Sequence, residues 1–326
     1  MAAPAASVTE VTHWIVIEPD YTVIIRIARS EMGQGSFTGL PMLVAEELEC
    51  DWSKVKPEYA DVNEHVRRNR IFGPMTTGGS RAIRDSQEIL RKAGAAAREM
   101  LTTAAAKEWG VPASELTVAN SVITHSATNR STTFGKIAEA ASKLEVPKEP
   151  KLKDPKPWKL LGTSPARFDI PDKTKGKTIY AADVRTPGMV HASVAQCPVF
   201  GGKLKSFDEA KIKAMRGVKS VVTGDDWLAV VADNWWRANQ ALKALPIEWD
   251  DGGNGKVSTD SIKTFLRTGI DAAEAPAARK DGDTDYALKA AAKVVEAEYY
   301  VPFLNHATME PQTAAALIKG DSVEAR

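Results

Sequence analysis

Cysteine is almost absent from this sequence of 326 residues, which contains only Cys50 and Cys197. Two cysteines are too few for an iron–sulfur cluster, and these two lack the close spacing of a structural zinc site. Any electron-transferring cluster would therefore belong to another polypeptide. Cys50 falls near a predicted helix end and Cys197 in an apolar strand, so we expect two buried free thiols rather than a disulfide.

An excess of charge of either sign is also missing, because 43 Lys and Arg side chains balance 42 Asp and Glu side chains. No global field favours nucleic acid or an anionic membrane as a partner, so a ligand must be recognised locally. No apolar run approaches the ~20 residues that a membrane-spanning helix needs. With 43% apolar and 26% charged residues, the composition is that of a globular chain long enough for two domains.

Apolar periodicity predicts an α+β fold. Alternation over residues 13–29 predicts a hairpin, and helical spacing predicts helices at residues 38–49, 83–109 and 135–144. The remaining predictions for this half are a strand at 55–61, a basic loop containing Arg67, Arg68 and Arg70, and a small hairpin at 117–134.

Two glycine segments stand directly before two of these helices, at residues 32–35 (MGQG) and 76–81 (TTGGSR). Glycines allow the backbone to approach a flat polar ligand, and the Gln34 amide offers both donors and an acceptor. Free N–H groups at a helix start can also hold anionic or carbonyl groups. The alternatives are a plain strand-to-helix turn for the first segment and a flexible hinge for the second.

The run from residue 147 to residue 171 contains six prolines, so it predicts an extended connection and a domain boundary. Beyond it, patterning predicts a second α+β unit, and residues 252–284 have the composition of a surface excursion. The predicted strands are 178–180, 189–197, 218–223, 228–232, 245–249 and 293–301, and the predicted helices are 208–215 and 235–244.

Three other side-chain groups could suggest binding. His306 and Glu310 are four residues apart, but prolines bracket them and we interpret them as a packed corner rather than a metal site. Trp235, Trp236 and Trp249 lie in amphipathic patterns, which predicts core packing.

Arg81 and Arg84 follow the second glycine segment and could bind phosphates as bidentate forks. Solvated arginines on the first turns of a helix are the alternative that we favour.

Residues 30–39 (SEMGQGSFTG), 76–81 (TTGGSR) and 306–311 (HATMEP) resemble the molybdenum-cofactor subunit of the xanthine oxidase family of molybdenum hydroxylases. The resemblance covers nearly the whole chain, and it is strongest to the branch with isoquinoline 1-oxidoreductase and membrane-linked aldehyde dehydrogenases. Residues 176–180, 185–189 and 230–233 resemble the α/β hammerhead domain of that family.

The resemblance implies a division into four parts. Residues 1–146 are the amino-terminal part of a molybdopterin-binding domain, 147–171 are a Pro/Lys-rich linker and 172–251 form a hammerhead-like domain. Residues 252–326 then contain the surface excursion and the start of a further molybdopterin-binding segment.

The resemblance also implies the site. Gly33, Gln34 and Gly35 would bind the pterin of molybdopterin, in the family often its cytosine dinucleotide form. The positions that would line the pterin and the substrate side of the metal are Gly78, Gly79 and Ser80. The family holds its metal through dithiolene sulfurs, so we expect no metal-ligating side chain. Neither the family's general-base glutamate nor its Gly-Phe-Gly-Gly loop occurs here, so we expect no catalytic residue in this chain.

The function implied is that of the amino-terminal portion of a catalytic subunit, inactive alone, which oxidises N-heteroaromatic or aldehyde substrates with oxygen from water. The implied partners are the remaining carboxyl-terminal part of the subunit, an iron–sulfur small subunit and a c-type cytochrome. Family members often carry a twin-arginine leader, and the start MAAPAA resembles a mature terminus after cleavage, which favours the periplasm over the cytoplasm. The alternative function is a non-catalytic assembly or interaction protein built from the same modules.

Overall fold

The computed structural model describes residues 8–270 and 272–325. Contacts between Cα atoms divide the chain into two compact units, with the division between Thr178 and Ile179. Each unit contains both helices and strands, which confirms the predicted α+β class.

The first unit begins with a hairpin, continues with two long helices and ends in irregular chain. Its helices and strands are β1 (Thr9–Thr12), β2 (Ile15–Ile17), β3 (Val23–Ile27), α1 (Ser36–Leu48), β4 (Val55–Tyr59), α2 (Val62–Arg67), α3 (Arg81–Trp109), β5 (Leu116–Ala119), β6 (Val122–His125), β7 (Arg130–Thr133), α4 (Phe134–Ser142) and α5 (Ile170–Thr174).

A four-stranded sheet in the order β1-β2-β3-β4 forms the base of this unit. Strands β2 and β3 pair antiparallel with Ile15 opposite Ile25, which confirms the predicted hairpin, and β4 lies parallel to β3. The alternate apolar residues of β3 are buried because a strand presents every second side chain to the same face. Helices α1 and α3 start and end within two residues of their predicted bounds.

Helices α1 and α3 approach each other closely at Gly94. A Cβ atom at this glycine would lie 2.4 Å from the Val44 carbonyl oxygen, so no larger residue fits without displacing backbone. The contact side of α3 is otherwise lined mainly by small buried residues such as Ala97 and Ala104. Together with the sheet, the two helices bury the main apolar core of the unit.

The proline-rich segment packs against the first unit. The buried Glu46 carboxylate of α1 accepts backbone N–H groups from Lys159, Leu160 and Leu161 at 3.0, 2.7 and 3.1 Å. Its other oxygen pairs with the Lys153 ammonium group. The segment has no regular structure before α5, as its prolines predict, and its role as a domain linker stays a prediction.

The second unit has a smaller core and three small sheets. Its helices and strands are β8 (His191–Gln196), β9 (Lys203–Phe207), α6 (Ala210–Lys213), β10 (Val218–Thr223), β11 (Trp227–Ala232), α7 (Trp235–Ala244), β12 (Ile247–Asp250), α8 (Thr259–Ile270), α9 (Thr284–Ala290), β13 (Ala316–Lys319) and β14 (Ser322–Ala325).

Among the described residues of the second unit, β10-β11-β8, β12-β9 and β13-β14 form the sheets, all with antiparallel pairing. The buried core beneath them consists of Ile212, Leu228, Val230, Ala241 and Leu245.

Several secondary-structure predictions are wrong. The basic loop includes the helix α2, whose start is capped by the Asp61 carboxylate, and the predicted surface excursion contains the helix α8. Strand β9 was not predicted. Residues 178–180 and 293–301 form no strand, because a strand needs a hydrogen-bonding neighbour and none is present among the described residues.

Two side-chain predictions also need correction. Trp235 and Trp236 are 54% and 65% exposed, so they are not core residues, whereas Trp249 packs against the core of the second unit. Both cysteines are free, as predicted, but only Cys50 is buried and Cys197 is partly exposed.

Candidate functional site

The two glycine segments lie side by side in the first unit. We call residues 30–35 the first glycine loop, which links β3 to α1, and residues 76–80 the second glycine loop, which leads into α3. The Ser30 N–H group donates to the Thr77 hydroxyl oxygen at 2.8 Å. The Arg29 guanidinium donates to the Thr76 carbonyl oxygen. The fold therefore brings together the two segments that the sequence singled out.

Glu31 organises the first glycine loop. Its carboxylate, whose side chain is 5% exposed, accepts the N–H groups of Gly33, Gly35 and Phe37 at 2.6, 3.0 and 2.9 Å. It also pairs with Arg167 at 3.2 Å. Burial by itself would raise the pKa of Glu31, but the three N–H donors and Arg167 outweigh burial and hold the pKa below its ordinary value of 4.5.

This arrangement corrects one prediction. The backbone N–H groups at the start of α1 are not free, because the Glu31 carboxylate has taken those of Gly33, Gly35 and Phe37. Sequence reasoning did not single out Glu31. The signal that could have identified it is an acidic residue just before a glycine turn and a helix start, where the helix dipole favours negative charge.

The Gln34 side chain bridges its own loop and remains exposed. Its Nε2 atom donates to the Ser30 carbonyl oxygen at 2.9 Å, and its Oε1 atom accepts the Met32 N–H group at 2.6 Å. An amide side chain has two N–H donors and two acceptor lone pairs, so one of each remains for a ligand. The amide is thus held in a fixed orientation before any ligand binds.

The second glycine loop leaves the start of α3 open. Gly78, Gly79 and Ser80 are exposed, and a Cβ atom at Gly78 would meet nothing within 4 Å. Ser80 occupies the N-cap position with a φ of 56°, but its side chain accepts no N–H group, and the first turn of α3 contains no acidic residue. The first N–H groups of this 29-residue helix are therefore available to an anion.

Arg81 and Arg84 are committed to a neighbour rather than to the loop. The Arg81 Nε atom lies 2.5 Å from an Asp85 carboxylate oxygen, and the Arg84 Nε atom lies 3.6 Å from the other oxygen. Both arginines are exposed, in agreement with the solvated alternative.

The described residues contain no group of three or more His, Cys, Asp or Glu side chains placed to hold a metal ion. His306 and Glu310 lie exposed in irregular chain, so they form neither a metal site nor the expected packed corner. Among the helices of the described ranges, none combines the length and the apolar composition that crossing a membrane requires.

Comparison with known proteins identifies the family. The model of the molybdopterin cofactor-binding domain matches residues 3–184, which contain both glycine loops. The chain therefore belongs to the molybdopterin-binding subunits of the xanthine oxidase family.

Three curated relatives match almost the whole chain. The chain is 31% identical to the membrane-bound aldehyde dehydrogenase [pyrroloquinoline-quinone] of Gluconacetobacter polyoxogenes, over 97% of this chain and 42% of that protein. It is 28% identical to the beta subunit of isoquinoline 1-oxidoreductase of Brevundimonas diminuta, over 96% and 46%. It is 27% identical to one subunit of the nicotinate dehydrogenase of Pseudomonas putida, over 96% and 26%. The chain thus spans less than half the length of each.

A solved structure of Cu,Mo-CO dehydrogenase matches 27% of this chain and 15% of its own, at 22% identity and a TM-score of 0.24. This likeness is too small to carry an argument.

The described residues fit part of a molybdopterin site. A pterin presents a flat polar edge, and the exposed Gln34 amide has a donor and an acceptor left for such an edge. A cofactor phosphate matches the open start of α3 behind Gly78, Gly79 and Ser80. Gly33 and Gly35 would contribute by shape rather than by N–H donors, because Glu31 has taken those donors.

Proposed function

We propose that the chain is the amino-terminal portion of the molybdopterin-binding catalytic subunit of a molybdenum hydroxylase. The observation that carries this proposal is the adjacency of the two glycine loops within the residues that the family model matches. Molybdopterin, when bound, supplies a metal centre that transfers oxygen from water to an activated carbon and accepts two electrons. The substrates proposed are N-heteroaromatic compounds or aldehydes, the classes found in the names of the relatives.

The residues of this chain would bind and orient the cofactor. Gln34 holds the pterin edge through the free N–H and lone pair of its amide, because its other two hydrogen bonds fix the plane of the side chain. Gly78, Gly79 and Ser80 admit a phosphate or carbonyl oxygen close to the backbone at the start of α3. Glu31 keeps the first glycine loop closed by neutralising its N–H dipoles.

The remaining parts of the assembly are proposed from the family. Residues 172–251 act as a hammerhead-like module between 1–146 and the further molybdopterin-binding segment that starts within 252–326. The polypeptide would be completed by a carboxyl-terminal part, and electrons would pass to an iron–sulfur small subunit and a c-type cytochrome. The cytosine dinucleotide form of the cofactor and a periplasmic location belong to the same proposal.

Cofactor analysis tests this function directly. We would co-express residues 1–326 with the proposed carboxyl-terminal part, purify the complex and measure molybdenum by mass spectrometry and pterin by fluorescence after oxidation. We expect both in the parent complex and about a tenfold loss of affinity, hence lower occupancy, in Gln34→Ala, because two ligand hydrogen bonds disappear. Gln87→Ala on the exposed side of α3 is the matched control and should retain full occupancy.

The same measurement separates the alternatives. A stable complex that never contains pterin would support the non-catalytic assembly protein and overturn the proposal. Pyrroloquinoline quinone in place of molybdenum and pterin would also contradict it, and the name of the aldehyde dehydrogenase relative makes that quinone a necessary part of the analysis.

A further inference from the structure

A cavity of about 200 Å³ lies inside the first unit, next to the second glycine loop. Most of its wall is apolar and includes Trp14, Leu40, Phe72 and Leu90. Its rim includes Ile89, which is 44% exposed, so the cavity can be entered from solvent. An engineered apolar cavity of about 150 Å³ in another protein binds benzene, so this cavity has room for a ligand with one ring.

Arg29 supplies a positive charge to the wall of this cavity. The residue is 5% exposed, and its guanidinium remains protonated in proteins. Its Nε atom donates to the Ser86 hydroxyl oxygen at 3.4 Å, and one Nη atom donates to the Thr76 carbonyl oxygen. The second Nη atom has no hydrogen-bond partner in the part of the chain that the structure describes.

No carboxylate of the described residues forms an ion pair with Arg29. The other buried or half-buried arginines of this unit differ from it in this respect. Arg91 and Arg98 both pair with the buried Glu47, and Arg26 pairs with two glutamates. Because a buried charge without a counter-ion is strongly disfavoured, Arg29 is the one member of this group whose charge calls for an added anion.

Asp85 is the only acidic residue in the described wall of the cavity, and it does not supply the counter-ion. Its carboxylate is engaged by Arg81 at 2.5 Å and by Arg84 at 3.6 Å. These two exposed arginines offset its negative charge, so Asp85 does not exclude a small anion from the cavity.

We propose that this cavity is a binding site for a small apolar monocarboxylate, such as an aromatic carboxylic acid. The carboxylate oxygens would accept N–H donors of Arg29 and the Ser86 hydroxyl, and the apolar body would pack against Trp14, Leu40 and Phe72. An inorganic anion would satisfy the charge but leave the apolar walls uncovered, whereas a neutral aromatic molecule would leave Arg29 unpaired. The proposal does not depend on the proposed function, because none of these groups is assigned to the cofactor.

The test uses cofactor-free chain 1–326 and four probes: benzoate, benzyl alcohol, acetate and inorganic phosphate. Binding is measured by calorimetric titration, and contact with the protein by saturation-transfer NMR. We expect benzoate to bind at least about tenfold more tightly than each of the other three, since only benzoate combines a carboxylate with a ring. Equal affinity for benzyl alcohol or phosphate, or no benzoate binding at all, would overturn the proposal.

Two variants tie the binding to this cavity. Arg29→Met should remove the preference of benzoate over benzyl alcohol, and Arg84→Met, an exposed arginine on the same helix turn as Asp85, should leave it unchanged. If Arg29→Met does not fold, Ile89→Trp keeps Arg29 intact and fills the rim, and it should reduce benzoate affinity about tenfold. Benzoate affinity that survives Ile89→Trp would place the ligand elsewhere and refute the assignment.

Discussion

The two units of this chain bury their apolar residues to very different degrees. The first unit encloses a continuous core between its sheet and helices α1 and α3, whereas the compact core of the second contains five buried residues. From residue 251 to residue 325, no described residue is buried, and side chains such as Tyr299 and Phe303 are 89% and 82% exposed.

This difference shows that apolar composition alone does not fold a segment. The alternation in residues 293–301 predicts a strand, but the structure offers it neither a neighbouring strand nor an opposing apolar face. In the first unit, β3 has both, with β2 and β4 on its edges and α1 packed against its buried face. Extended apolar surfaces of this kind are typical of chain that packs against a further polypeptide.

The largest expected effect comes from the same substitution made in one helix of each unit. Gly94→Ala would place a Cβ atom 2.4 Å from the Val44 carbonyl oxygen, so we expect the free energy of unfolding of the first unit to fall by about 3 kcal/mol. Gly269→Ala in α8 meets nothing within 4 Å and should stabilise its helix by about 1 kcal/mol or less.

Urea titration followed by hydrogen exchange of individual peptides measures both effects, because it reports the two units separately. Unchanged exchange protection of α1 and α3 in Gly94→Ala would show that the helices are less tightly packed than the structure indicates.

A smaller effect is expected where the proline-rich segment meets α1. Glu46→Gln removes the charge that pairs with Lys153 and weakens the acceptor for three backbone N–H groups. We expect a loss of about 2 kcal/mol and faster trypsin cleavage after Lys156 and Lys159, because buried ionic contacts are costly to break from one side.

Glu149→Gln is the matched control for this prediction. Glu149 is 83% exposed and pairs with Lys92 at 3.3 Å, so its loss should change stability by about 0.5 kcal/mol or less. Equal cleavage rates in the two variants would indicate that the segment is not held by Glu46.

The smallest effect on stability should come from the thiols, which still distinguish the two units by reactivity. Burial raises the pKa of the Cys50 thiol to about 12, so almost no thiolate is present near neutral pH. Cys197 in the second unit is partly exposed. A disulfide reagent should label one thiol rapidly in native protein, and Cys197→Ser should abolish the rapid phase while changing stability by about 0.5 kcal/mol or less. Rapid labelling that persists in Cys197→Ser would mean that Cys50 is accessible.

Much of the first unit was predictable because its patterns are local. The alternation of Ile15, Ile17 and Ile25 predicts the hairpin, and the spacing of small and apolar residues predicts α1 and α3. The exposed Trp235 and Trp236 were not predictable in this way, because helical periodicity identifies a face without showing whether another element covers it.

The candidate site divides along the same line. The two glycine loops are visible in the sequence as short motifs before helices, and their adjacency follows once β3 and α3 are packed in one unit. The capture of the Gly33, Gly35 and Phe37 N–H groups by Glu31 depends on the three-dimensional path of the loop. The absence of a carboxylate beside Arg29 among the described residues depends on contacts across the fold.

The sequence by itself determined the α+β class, the helices that follow the glycine loops and the family to which the chain belongs. These features are encoded in periodicity and in motifs of a few neighbouring residues. Only the tertiary structure decided which N–H donors remain open, which arginine is left without a carboxylate and where a cavity remains. Those properties depend on residues distant in sequence, such as Arg29 and Ser86 or Glu31 and Arg167, whose contacts exist only after the chain has packed.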